Sequence, residues 1–200
     1  MTARTFVPTL VGNARGATIV EFAIVAPVLV LLIMGLFDQL YQVYATSILN
    51  GAVQKAARDA TLQVDNSASS NASLDAAVLA IIKDLAPTAI AVSTRKSYPN
   101  FAGVGDPEPF VDTNHNGVRD PGECFTDTNG NGVWDVDPGI TGDGSASDVV
   151  LYTMTITYPR LFPAGKLLGT GSTTSITAST IMKNQPWANQ SVPPPVTICT

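Results

Sequence analysis

The strongest pattern in the chain is an apolar run near its start. Residues 19–37 read IVEFAIVAPVLVLLIMGLF, and Glu21 is the one charged residue among the nineteen. At about 1.5 Å per residue the run covers about 28 Å, close to the hydrocarbon thickness of a bilayer. A helix apolar on every side predicts a membrane span. Residues 38–62 contain no Pro and carry Leu40, Tyr44, Ile48, Ala52, Ala56 and Ala60 at i+4 spacing. Gln39, Thr46, Asn50, Gln54 and Arg58 lie opposite, so the helix is expected to continue as an amphipathic extension. Residues 63–73 are rich in Asn and Ser and read as a loop, with Ser73 as N-cap of a second helix over residues 74–85 that stops before Pro87. Three later runs read as strands: 89–98, 149–158 and the Thr-rich 173–182. In the second, Leu151, Thr153, Thr155 and Thr157 alternate with Tyr152, Met154, Ile156 and Tyr158. Residues 159–171, with two Pro and three Gly, read as a loop, and the Pro-rich tail from Asn184 as extended chain. The expected fold is α+β: a long N-terminal helix and a shorter one packed on a small antiparallel sheet.

Composition sharpens this picture. Charged residues make up 14% and mean hydropathy is +0.20, against about 25% charged residues in an average soluble protein. The net charge of −5 and the pI near 4.6 exclude the basic footprint of a nucleic-acid binder. The single His, His115, makes Ser-His-Asp or Cys-His catalysis a poor fit, and the chain is expected not to be an enzyme. Arg4 and Arg15 precede the apolar run and Asp38 follows it, which by the positive-inside rule puts the N-terminus in the cytoplasm and residues 38–200 outside. A cleavable secretory signal is the competing reading, but the run exceeds the usual 7–15 apolar residues and lacks a good small-residue cleavage site after it. Glu21 is costly inside such a run and calls for a partner.

Ten of the 16 acids fall between Asp106 and Asp148, accompanied by one base, Arg119. Within this acidic insert (106–148), residues 112–123 read DTNHNGVRDPGE. Counted as a twelve-residue calcium loop, oxygen ligands fall at Asp112, Asn114, Asn116, Asp120 and Glu123, with the Val118 carbonyl at position 7 and Gly117 at the sharp turn. The loop recurs as DTNGNGVWD, with Asp127, Asn129, Asn131, the Val133 carbonyl and Asp135. Residues 108–122 and 123–137 are identical at nine of fifteen positions. Position 12 of the second copy is Pro138, so Asp137, Asp143 or Asp148 is expected to supply its closing carboxylate. With no room for flanking helices, the pair resembles thrombospondin type 3 or dockerin-like repeats. Calcium is the expected ion, needed because the repelling acids cannot bury enough apolar surface to order themselves; a metal-free Asx/Gly turn repeat is the alternative. His115 falls at a non-ligand position. Cys124 and Cys199 both lie on the expected exported side, where a bridge would pin the tail to the insert; two free thiols are the alternative.

The stretch RGATIVEFAIVAPVLVLLIMGLFDQ, with Gly16, Ala17, Thr18, Ile19, Val20, Glu21 and Phe22, and with Pro27 and Gly35 further on, resembles a type IV prepilin-like processing site. More specifically it resembles the TadE-like proteins of tight-adherence pilus systems, and TASTIMKNQPW extends the likeness near the C-terminus. The resemblance implies a pilin-like fold and cleavage by a prepilin peptidase after Gly16, leaving Ala17 as first residue. Residues 1–16 would be a leader, 17–62 the transmembrane helix and its extension, and 63–200 the exported domain. In resembling pilins the carboxylate at the position of Glu21 pairs with the N-terminal amine of a neighbouring subunit. The implied role is a non-enzymatic minor pseudopilin in the bacterial inner membrane. Its exported domain would be periplasmic or part of an extracellular pilus, and its partners other pilin-like subunits, the assembly machinery and the peptidase. A membrane-anchored, calcium-dependent surface adhesin is the alternative reading.

Overall fold

The computed structural model describes residues 14–62, 68–145, 147–162, 169, 171–184 and 194–199. The leader expected over residues 1–16 therefore lies largely outside the described residues. Helix α1 (Ala14–Leu62) has 49 residues and holds Pro27 in its interior. Within Thr18–Ala60 it is long and apolar enough to cross a membrane, and none of its most apolar window is buried within the chain. Two compact units divide the chain, Met1–Gln42 with Arg160–Ser172, and Val43–Pro159 with Thr173–Thr200.

In the first unit the helix exposes Ile19, Val20, Phe22, Ile24, Val25, Val28 and Leu32. Just past the apolar run, Asp38 pairs with Arg160 at 2.9 Å. The rings of Phe37 and Phe162 lie 6.3 Å apart.

In the second unit the C-terminal half of α1 buries Ala45, Leu49, Ala52, Val53, Ala56 and Ala57. The strict i+4 stripe expected from sequence is corrected here: Leu40 and Tyr44 are more than half exposed. Four residues turn an α-helix through more than a full circle, so an i+4 row spirals off the face. A face that stays put alternates steps of three and four. Helix α2 (Ala68–Lys83) starts five residues before the expected N-cap at Ser73. Tertiary contacts carry the extra turn, since Arg95 donates to the Asn71 carbonyl and Asn71 to Asp143. Leu74, Val78 and Ile82 are its buried face.

Strands β1 (Ile90–Tyr98), β3 (Ile140–Thr141), β4 (Val149–Pro159) and β5 (Thr173–Lys183) form an antiparallel sheet in the order β3-β1-β4-β5. The period-2 pattern of β4 is realised: Tyr152, Met154, Ile156 and Tyr158 are buried, and the threonines between them are half-buried. On the other face, Thr155 and Thr177 hydroxyls meet at 3.1 Å and Thr157 and Ser175 at 2.8 Å. These are cross-strand pairs that stabilise a sheet. The tail forms β6 (Val196–Cys199), which pairs with β2 (Cys124–Asp127) in a second, two-stranded sheet.

A half-buried charge cluster ties α2 to the sheet. Arg95 makes a forked pair with Asp75 at 2.7 and 3.2 Å and reaches Asp143 at 3.2 Å, with its guanidinium 4.6 Å over the Tyr152 ring. Tyr152 and Ser93 also donate to Asp75, each at 2.6 Å. Burial opposes ionisation of Asp75, but the hydrogen bonds from Arg95, Ser93 and Tyr152 outweigh it and hold the carboxyl below its usual 3.8.

Candidate functional site

Two regions hold the residues singled out in the sequence. The first is the start of α1. Gly16 and Ala17 lie in its first turns, with Glu21 and Phe22 one turn further on. Gly16 and Glu21 are exposed and Phe22 is 68% exposed. One turn of helix separates the Ala17 nitrogen from Glu21, so the carboxylate and an amine freed at Ala17 would lie on one side of the helix. A carboxylate this exposed in an apolar stretch has two outlets, the interface or a cation on another chain.

The second region is the insert, and its two loops have one internal pattern. In the first, the two Asp112 carboxylate oxygens accept from the Asn116 and Gly117 backbone N–H at 3.2 and 2.7 Å. Asn114 and Asn116 side-chain oxygens accept from the N–H two residues on. Their amide nitrogens both donate to one Asp120 oxygen, at 2.7 and 2.8 Å. The second loop repeats this pattern except at its first aspartate, where one oxygen takes the N–H three residues on instead of four. Asp127 accepts from Gly130 and Gly132, and Asn129 and Asn131 converge on Asp135 at 2.8 and 2.6 Å. Gly117 and Gly132 take φ of 78° and 79°, a backbone region that disfavours any side chain.

The closing carboxylates are Glu123 for the first loop and Glu108, from ahead of the first loop, for the second. Glu123 accepts from Thr113 N–H and hydroxyl, both at 2.8 Å, and from Asp120 N–H at 2.9 Å. Glu108 does the same for the second loop, accepting from Thr128 N–H at 2.7 Å, Thr128 hydroxyl at 2.9 Å and Asp135 N–H at 3.1 Å. Backbone bonds follow the same two-fold relation. Val111 donates to Cys124 and Thr126 to Pro109, around an antiparallel bridge of Phe110 with Phe125. Both glutamates are buried, at 1% and 4% exposure. The Asp120 N–H, followed by the bonds from Thr113, holds the Glu123 carboxyl below its usual 4.5.

This arrangement differs from the sequence expectation in the closing group of the second loop. The closing group of the second loop is Glu108, not Asp137, Asp143 or Asp148. Asp137 is drawn away by Lys96, with which it pairs, and by Tyr98, which donates to it at 2.8 Å. Lys96 holds the Asp137 carboxyl down, while burial and Asp137 push the Tyr98 hydroxyl up to about 12. Asp143 belongs to Arg95, and Asp148 accepts from Ser145 N–H. Backbone N–H groups and Asn amides also take up many of the insert's carboxylates one by one. Phe125 is buried beneath it, Trp134 meets Phe110 edge-on at 6.0 Å, and Trp134 donates to the Glu108 carbonyl. Glu108 was missed because it lies nineteen residues before the loop it closes. The signal was present: the fifteen-residue alignment sets Glu108 opposite Glu123.

Cys124 and Cys199 are bridged, and they face each other in the β2–β6 register with Cα atoms 4.0 Å apart. Among the described residues, no group of three or more His, Cys, Asp or Glu side chains is arranged to hold a metal ion. Each loop brings only two aspartates to its centre, and the other inward heads are neutral amides.

Residues 16–58 match the family model described as TadE-like protein. The match takes in Gly16, Glu21, Phe22 and most of α1, and ends before α2 and the sheet. That family is one of pilus assembly, not of enzymes. No curated protein and no solved structure matches the chain.

Proposed function

We propose that this chain is a pilin-like, non-enzymatic component of a tight-adherence pilus assembly system. In this reading a prepilin peptidase cuts it after Gly16, and α1 anchors it in the bacterial inner membrane. Its N-terminus faces the cytoplasm and the α+β domain is exported. The observation that carries the proposal is the TadE-like match over residues 16–58, which opens on Gly16 at the head of an exposed apolar helix. The amine freed at Ala17 on one subunit would neutralise Glu21 on its neighbour, offsetting a burial cost of several kcal/mol in lipid and fixing the axial register. N-terminal sequencing of membrane-extracted protein tests it, with Ala17 expected first. Gly16→Ala is expected to block processing, so a mature-sized band from that variant overturns the site. Glu21→Ala is expected to leave the protein in the membrane but unassembled.

The same reading assigns calcium to the insert. The residues fit a hard cation: Asp112, Asn114, Asn116, Asp120 and the Val118 carbonyl in one loop, and Asp127, Asn129, Asn131, Asp135 and the Val133 carbonyl in the other. In each loop two amide heads already reach one aspartate oxygen, and turning them over would present oxygen there at the expense of the backbone N–H bonds their oxygens now accept. Glu123, expected from sequence as a ligand, already accepts from Thr113 and Asp120, and in this reading it and Glu108 brace the loops. Calcium, when bound, would supply charge neutralisation. With two carboxylates per loop the affinity expected is about 10⁻⁴ to 10⁻³ M, that of extracellular modules. Thermal unfolding with added calcium and with EDTA tests this: Asp112→Ala is expected to lower stability more when calcium is present. An equal loss in EDTA removes the ion.

A further inference from the structure

We propose that the chain touches the bilayer a second time, through Leu161 and Phe162, which sit in the lipid headgroup region beside the outer end of the α1 span. The proposal rests on α1 being a membrane helix and adds a contact which that reading does not contain.

Depth carries the argument. With Ile19 at the inner edge of the hydrocarbon, eighteen residues of helix at about 1.5 Å each put Phe37 about 27 Å further along, at the outer edge. Asp38 is the first charged residue after Glu21, and marks where the run meets water. The structure brings the chain leaving β4 back to this level. Arg160 pairs with Asp38 at 2.9 Å, and the Phe162 ring lies 6.3 Å from Phe37. Phe162 therefore lies within 6.3 Å of Phe37 in depth. Leu161 stands beside it 54% exposed, and Leu36, Phe37 and Leu40 of the helix are each 55–60% exposed. In water these side chains would be an unexplained apolar surface. At the interface the apolar groups enter the acyl boundary, and the charges stay with each other at the water edge. The Asp38 side chain is 10% exposed and that of Arg160 21%, so the pair is largely shielded already and opposite in sign. Lipid is favoured over a protein partner because the patch is continuous with the span itself.

The test uses the full chain in phosphatidylethanolamine/phosphatidylglycerol vesicles, with the native disulfide left oxidised. A nitrobenzoxadiazole dye is placed on Leu161→Cys, on Phe162→Cys and, separately, on Val30→Cys within the span. Nitroxides attached to lipid near the headgroup or deep in the acyl chain, and aqueous iodide, serve as quenchers. The expected result is that shallow nitroxide quenches the dyes at 161 and 162 at least about twofold more than deep nitroxide does, with shielding from iodide. Val30 should respond most to the deep quencher. If Val30 is quenched from within the membrane while 161 and 162 respond only to iodide, the span stands and the second contact is overturned. Stronger deep than shallow quenching at 161 and 162 overturns the interfacial placement. If Val30 also responds only to iodide, both readings fall.

Discussion

Glu108→Gln is the sharpest test of how the insert is held. The Glu108 carboxylate takes three donors while 1% exposed: Thr128 N–H and hydroxyl on one oxygen and Asp135 N–H on the other. Glutamine keeps the volume and one acceptor. If its oxygen stays with Thr128, an NH2 group faces the Asp135 N–H. A buried donor is then unsatisfied, at about 1–3 kcal/mol, and the two surviving bonds lose their charge assistance, for a total of about 2–4 kcal/mol. Amide hydrogen exchange reads this better than a melting curve, because it reports opening residue by residue. Exchange at Thr128 and Asp135 is expected to accelerate between about 30- and about 900-fold. Acceleration should also reach Thr113 and Asp120, which Glu123 holds, because residues 109–111 and 124–126 pair directly. Glu123→Gln should give the mirror image. If Glu108→Gln changes Thr128 and Asp135 no more than Asp106→Asn does at an exposed site, the closure assigned to Glu108 is wrong. If only the second loop responds, the loops are independent.

Cys199→Ser opens a bridge across a sequence separation of 75 residues, worth at most about 4–5 kcal/mol in the chain-entropy model. The urea midpoint of the wild-type chain should fall likewise under a dithiol reductant, and a midpoint indifferent to reductant would count against the clamp. Asp75 and Glu123 titrate below their ordinary values in the folded state, so their stabilising effect is full above about pH 5 and is lost as pH falls through the folded values. The urea midpoint should be flat from neutrality to about pH 5 and drop below about pH 4, and Asp75→Asn should flatten that acid limb. Gly144 has φ of 66°, and an added Cβ would meet Ser97 Cβ at 2.6 Å and Asp148 Oδ2 at 2.7 Å. Gly144→Ala should therefore cost about 2–3 kcal/mol, against about 1 kcal/mol for Gly105→Ala, whose φ is also positive but whose surroundings are open.

Local pattern carried most of the architecture. The apolar run, the alternation of residues 149–158 and the Thr-rich 173–182 each settle their own element, because burial on one face imposes a period that can be counted. The errors arose where a distant partner decides. Helix α2 gains its first turn from Arg95 and Asp143, far along the chain. The stripe on α1 drifted because a single step of four was followed instead of the mixed step a helix needs. Glu108 was overlooked because a calcium-loop count looks only forward from its first aspartate.

The placement of Glu108 and Glu123 also bears on why the loop occurs twice. One copy alone carries a closing glutamate at its head, yet that side chain serves the other copy. The first loop ends in its own closing Glu123, whereas the second is complete only with Glu108, from ahead of the first loop, folded beside it across the Phe110–Phe125 bridge. The acids that look like a repulsive cluster in one dimension are thus parcelled out in three, some to backbone N–H groups, some to Asn amides and some to Arg95, Lys96 and Tyr98. A bound cation, where present, would strengthen an order that hydrogen bonds already define. The disulfide then fastens β6 to β2, the strand at the centre of the duplicated unit, so the bridge acts on the insert and the tail together.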